Sequence, residues 1–137
     1  HIAAHGEYND KQPQYTGIPF SPDEANTLPM LYLNDTFQLQ LNADLLVLSC
    51  CETGIGKQKE GEGMMALNRG FLYAGAHNII YTLFKVLDQP TSKITQLLFW
   101  YIISGLSYKE SLHLAKLSQI QNQHPPSYWS GFVLMGK

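Results

Sequence analysis

Leu45–Gly56 reads LLVLSCCETGIG, and its reading decides the fold. Leu45 to Ser49 are apolar or small and run into two adjacent cysteines, after which Glu52, Thr53, Gly54 and Gly56 break the pattern. A short apolar run with an abrupt glycine-rich stop is the pattern of a strand buried in a parallel sheet. Ligands of open α/β sheets bind just beyond the carboxyl ends of the strands. Cys50 and Cys51 therefore fall where such a fold does chemistry. The competing role is packing, because free cysteine is among the most buried residue types.

Upstream, His1–Gly6 (HIAAHG) reads as a second strand end, with His5 and Gly6 at its exit. A thiol needs a base or a cationic neighbour to act as a nucleophile near neutral pH. A histidine and a cysteine at neighbouring strand ends would supply that pair. Glu7–Leu28 is polar and rich in turn formers (Asn9-Asp10, Pro13, Gly17, Pro19, Ser21-Pro22-Asp23). It reads as a long loop leaving from His5-Gly6, either a wall of the site or a surface excursion. Met30–Leu41 (MLYLNDTFQLQL) alternates on both sides of Asn34-Asp35, which predicts a β-hairpin. The same Asn34-Asp35-Thr36 fits an N-glycosylation sequence, but the turn reading is preferred.

Downstream, Lys57–Glu62 is charged and reads as a solvated loop. The spacing of Met64, Leu67, Phe71 and Ala74 predicts a helix closed by Gly75. Asn78–Phe84 (NIIYTLF) reads as another buried strand. Lys85–Thr91 (KVLDQPT) lies at that strand's carboxyl end. Its Asp88 reads either as a residue lining the site or as a helix N-terminal charge. Thr91–Ser104 is apolar around most of its circumference, which predicts a helix buried on several sides, with a missing N-terminal part or a partner chain covering it. Ser107-Tyr108-Lys109-Glu110 has the capping-box pattern and opens a helix to about Gln121. His124-Pro125-Pro126 is a stiff break, and Trp129–Met135 reads as the last strand. His113 is taken as a partly exposed residue of that helix, and His124 as structural. The alternation of strands and helices argues an α/β layered sheet.

HIAAHG followed by LLVLSCCETG resembles the CHAT family, caspase-like domains often attached to TPR repeats. Further matches run in order: GEG at 61–63, FLYAGA at 71–76, IIYTLFKVLDQPT at 79–91 and HPPSYWSGFVLMG at 124–136. The resemblance implies a caspase-like layered sheet with mostly parallel strands flanked by helices. Residues 1–137 would be the C-terminal part of a single such domain. It implies a cysteine endopeptidase acting on a protein or peptide substrate, with Cys51 as nucleophile and His5 as base. Backbone N–H groups of Gly6 and Cys51 would form the oxyanion hole. Asp88 matches a family aspartate that lines the primary specificity pocket and favours a basic side chain before the cut. Cys50 stands where the family has Ala, which implies packing. Phe84 stands where the family often has Trp. A TPR-type regulatory domain or partner chain is also implied. The alternative is a non-catalytic scaffold or interaction module of the same fold.

Composition sets further bounds. The chain has 137 residues, 45% of them hydrophobic and only 15% charged, enough for one core. The low charged share suggests that another element covers part of its surface. Net charge is −2 with no Lys/Arg run, which argues against direct nucleic-acid binding. No apolar run has the length of a membrane span. No cofactor is expected. A metal site at His1, His5, Cys50 and Cys51 is disfavoured, because strand neighbours point to opposite faces and the C-x2–4-C spacing is absent. Gly56-Lys57 lacks the first glycine and the Ser/Thr of a phosphate loop. A free thiolate fits the reducing cytoplasm.

Overall fold

The Leu46-Val47-Leu48 run is β3 (Leu46–Leu48) in a computed structural model that describes residues 1–4, 6–7, 9, 11–22, 27–49, 62–84 and 86–136, with the backbone alone at 13 and 62–64. Strands β1 (Gly17–Pro19) and β2 (Met30–Tyr32) precede it. The described residues form a mixed α/β fold with two sheets. Two compact units divide the chain: His1–Tyr81 with Met135–Lys137, and Thr82–Leu134.

In the first unit all three β3 side chains are buried. β3 pairs in parallel with β4 (Asn78–Thr82), setting Leu46, Val47 and Leu48 level with Ile79, Ile80 and Tyr81. Ile79 and Ile80 point to opposite faces of the sheet and are both fully buried, so both faces are covered. The strand order of this sheet is β3-β4-β5, with β5 at Phe132–Gly136, of which Met135 and Gly136 belong to this unit. Between β3 and β4 runs α2 (Glu62–Tyr73), which buries Leu67 and Phe71 on one stripe. Asn68 beside them is wholly buried, and neither atom of its amide makes a hydrogen bond among the described residues.

Two readings of the N-terminal half are corrected. Glu7–Leu28 is more than a loop: its Gly17–Pro19 pairs antiparallel with Met30–Tyr32, so the strands of the fold are not all parallel. Met30–Leu41 is not a hairpin around Asn34-Asp35. The partner of β2 lies upstream, and Asn34-Asp35 sits in α1 (Leu33–Thr36). The Tyr32 N–H donates to Asp35 Oδ2 at 2.9 Å and the Thr36 hydroxyl donates to the Leu33 carbonyl at 2.6 Å. Asx and Thr side chains bond the local backbone in turns and helix ends alike, so the dipeptide marks a reversal without fixing its kind.

The second unit is built on α3 (Asp88–Ile103) and α4 (Tyr108–Gln121), which pack on each other. The capping box is present: Glu110 N–H donates to Ser107 Oγ at 3.3 Å and Ser107 N–H donates to Glu110 Oε2 at 3.1 Å. Within this chain α3 is buried on one side. Its buried residues are Pro90, Ile94, Thr95 and Leu98, one stripe at helical spacing, while Trp100 is 62% and Ile103 84% exposed. Among the described residues no helix is long and apolar enough to cross a membrane.

All three long helices end in the same way. The residue two past the C-cap donates back to the carbonyl five residues earlier: Ala76 to Phe71, Leu106 to Tyr101 and His124 to Gln119. This closure needs a left-handed residue between, where glycine is favoured. Gly75 and Gly105 take that place after α2 and α3, at φ of 110° and 94°, but after α4 it is Gln123, at 57°.

Two predictions follow the caps. A side chain at 105 would meet no atom within 4 Å, so Gly105→Ala should destabilise by about 1–2 kcal/mol through backbone conformation alone. Gln123→Gly should stabilise by about 0.5–1 kcal/mol. Urea unfolding of both variants checks the opposite signs. In addition, the hydrogen bonds from the Ser107 hydroxyl and N–H hold the Glu110 carboxyl below its ordinary value of 4.5. A depressed carboxyl stabilises the fold above its unfolded pKa and loses that contribution as pH falls through the folded one. Glu110→Gln should therefore lower stability at pH 7 and leave a flatter stability curve below pH 4.5, measured by urea midpoints across acid pH.

Candidate functional site

The site is framed where the start of the chain meets the end of β3, within the first unit. Ile2 lies between Val47 and Ser49: its N–H donates to the Val47 carbonyl at 2.9 Å, and the Ser49 N–H donates to the Ile2 carbonyl at 2.9 Å. Ile2 and Leu48 form a parallel bridge. The two segments thus leave this pairing in the same direction, one toward Gly6 and the other past Ser49. Side chains add to the tie, with His1 Nε2 2.9 Å from Ser49 Oγ. A hydroxyl can donate to the imidazole or accept from it, so this pair forms with either ring tautomer.

Gly6 is buried, and the residue after it is anchored. Glu7 and Gly17 form an antiparallel bridge, exchanging hydrogen bonds of 2.8 and 2.9 Å. Gly17 is required at that point. A Cβ there would sit 2.6 Å from the Leu31 carbonyl oxygen of the paired strand β2. The Asn9 side chain accepts from the amides of Lys11 and Gln12, and the Asn9 N–H donates to Thr16 Oγ1 at 3.2 Å. The segment leaving Gly6 is therefore tied to β1 by the Glu7–Gly17 bridge and, through Asn9, to Thr16 just before that strand.

Of the residues singled out in the sequence, Gly6 lies on this frame. His5, Cys50 and Cys51 lie outside the described residues, as does the charged stretch 57–61. Asp88 is exposed in the first turn of α3, in the second unit. There the Thr91 hydroxyl and amide both donate to the Leu87 carbonyl, at 2.8 and 3.1 Å, closing the helix start. An acid in a first turn suits the helix dipole.

Sequence reasoning missed the His1–Ser49 pair. Both residues flank the strand ends, and only the register of Ile2 against Leu48 brings them level. It also missed that Lys116, in the middle of α4, is half-buried. The loss of water there pushes its ammonium pKa down.

Over residues 1–137 the sequence matches the CHAT domain family, and the chain belongs to that family. Among curated proteins it is similar to Tetratricopeptide repeat protein 28 of Mus musculus, 30% identical over 110 residues, which is 78% of this chain and 4% of that protein. It is also similar to Tetratricopeptide repeat protein 28 of Homo sapiens, 29% identical over 110 residues with the same shares. The chain thus spans about 4% of the length of these relatives.

Replacing Gly17 tests the anchoring of this frame. Gly17→Ala forces the β1 backbone away from Leu31 and should cost about 1–3 kcal/mol. It should also speed limited proteolysis within residues 7–28, read by mass spectrometry of the first cuts.

Proposed function

We propose that this chain is the C-terminal part of a caspase-like CHAT domain and acts as a cysteine endopeptidase. In this reading it has the caspase-like layered sheet, works in the cytoplasm and is governed by a TPR-type domain or partner. The observation that carries the reading is the parallel bridge between Ile2 and Leu48. His5 and Cys51 each follow three residues later along segments that leave the bridge in the same direction. Membership of the CHAT family and likeness to tetratricopeptide repeat proteins support it further.

In the proposed chemistry the Cys51 thiolate attacks the carbonyl carbon of the scissile peptide bond. The resulting oxyanion accepts hydrogen bonds from the backbone N–H groups of Gly6 and Cys51; donors of this kind contribute about 2.7–4 kcal/mol each. Glycine at position 6 lets the backbone approach the substrate closely. Collapse of the intermediate breaks the C–N bond, and protonated His5 gives its proton to the departing amine. Water then hydrolyses the thioester, returning the thiol and releasing the carboxylic acid. Asp88 would pair with a basic side chain before the cut.

The test is alkylation with limiting iodoacetamide at pH 6, followed by peptide mapping. Cys51 should react preferentially over Cys50, by about threefold for each unit by which its pKa is lowered, because the gain in thiolate is partly offset by its lower nucleophilicity. His5→Ala should slow that reaction. Slow and equal labelling of both cysteines, indifferent to His5→Ala, would contradict an activated thiol and favour a non-catalytic scaffold of the same family.

A further inference from the structure

The second unit carries a groove of about 530 Å³ where α3 meets the end of α4. Lys93, Gln96 and Trp100 reach it from α3, Gln119 and Asn122 from α4 and its cap, and His124 from the chain folding back beyond. Three observations separate it from ordinary surface. Trp100 leaves most of a large aromatic side chain in water, held edge-on against Tyr101 with ring centres 4.9 Å apart. Gln119 is only 3% exposed, yet its Oε1 accepts no hydrogen bond among the described residues. Buried amide oxygens in folded proteins almost always have a donor, so this one is poised for a donor from outside. Finally, the left-handed Gln123 turns the chain so that the His124 ring stacks on Tyr128, 5.4 Å between centres, at the groove.

The charge of the lining selects the ligand. Lys93 and His124 are the titratable groups in it, and neither Asp nor Glu contributes. We propose that this groove binds an extended acidic peptide segment of a partner protein. The Gln119 amide, turned about its last torsion, accepts from a peptide N–H. The carboxamides of Gln96 and Asn122 can meet both the N–H and the C=O groups of an extended backbone. Trp100 offers a flat apolar face to an aliphatic side chain of the peptide. Lys93 pairs with a carboxylate. A nucleotide fits less well, because the lining has no glycine and no arginine, and a single lysine would face its phosphates. The proposal goes beyond the peptidase reading and holds whether or not Cys51 is a nucleophile.

The test uses the intact chain and fluorescence anisotropy of a labelled, end-blocked hexapeptide of alternating Glu and Leu, with a Lys-Leu peptide and AMP as comparisons. The acidic peptide should bind at least about tenfold tighter than the basic one. Lys93→Glu and Trp100→Ala, both at exposed positions, should each weaken it by about tenfold or more. Lys93→Glu should also shift preference toward the basic peptide. Gln119→Leu should weaken binding while raising the urea midpoint of unfolding, which separates recognition from folding. No binding of the acidic peptide, equal binding of both peptides, or indifference to Lys93→Glu and Trp100→Ala would overturn the proposal. Binding of AMP in place of the peptide would overturn it in favour of a nucleotide.

Discussion

Two backbone hydrogen bonds, from the Ile2 amide to Val47 and from the Ser49 amide to Ile2, hold the first residues of the chain alongside β3. Each contributes about 0.5–1.5 kcal/mol net, but their main effect is geometric. Parallel pairing makes two segments exit at the same edge of a sheet. The register is defined by the backbone pairing itself: Ile2 sits level with Leu48, between the Val47 carbonyl and the Ser49 amide. The Ser49 hydroxyl and the His1 ring then close the edge, and the Glu7–Gly17 bridge carries the departing segment to β1.

The second unit follows a different logic, that of helix ends. Its two helices start and stop through local hydrogen bonds: the Ser107–Glu110 box, the Gly105 turn and the Gln123 turn. Only one stripe of α3 is buried, so its apolar circumference exceeds what folding uses. Trp100 and Ile103 remain in water on the rest of the helix. An orphaned Gln119 oxygen and a left-handed glutamine, both at the end of α4, concentrate there the departures from ordinary packing. Such departures cluster where a protein binds something.

The elements most legible in the sequence were those whose signal is local. Leu45–Ser49 announced a buried strand by its unbroken apolar run, and Ser107 with Glu110 announced α4 by a cap readable within four residues. Gly75 marked the end of α2 for the same reason. The β1–β2 pair was not legible, because strands of three residues show too little alternation and their partners are joined by ten intervening residues. Asn34-Asp35 misled because a turn and a helix start use the same side-chain bonds. Which stripe of α3 this chain itself buries could not be read from its composition, since hydrophobicity does not tell which side meets the core. Gln123 gave no signal, glutamine having no preference for the left-handed region. At the candidate site, the end of β3 could be recognised from sequence; His1–Gly6 read as a second strand end, while Ile2 forms a single bridge to Leu48 whose parallel register the sequence did not show.

That register is the premise of the functional account, and it can be measured directly by solution NMR. Scalar coupling across the Ile2 N–H to Val47 carbonyl hydrogen bond, with cross-strand NOEs between Ile2 and Leu48, is the predicted result. Absence of that coupling, together with NOEs from Ile2 to a different strand, would contradict the shared edge and with it the pairing of a histidine exit with a cysteine exit.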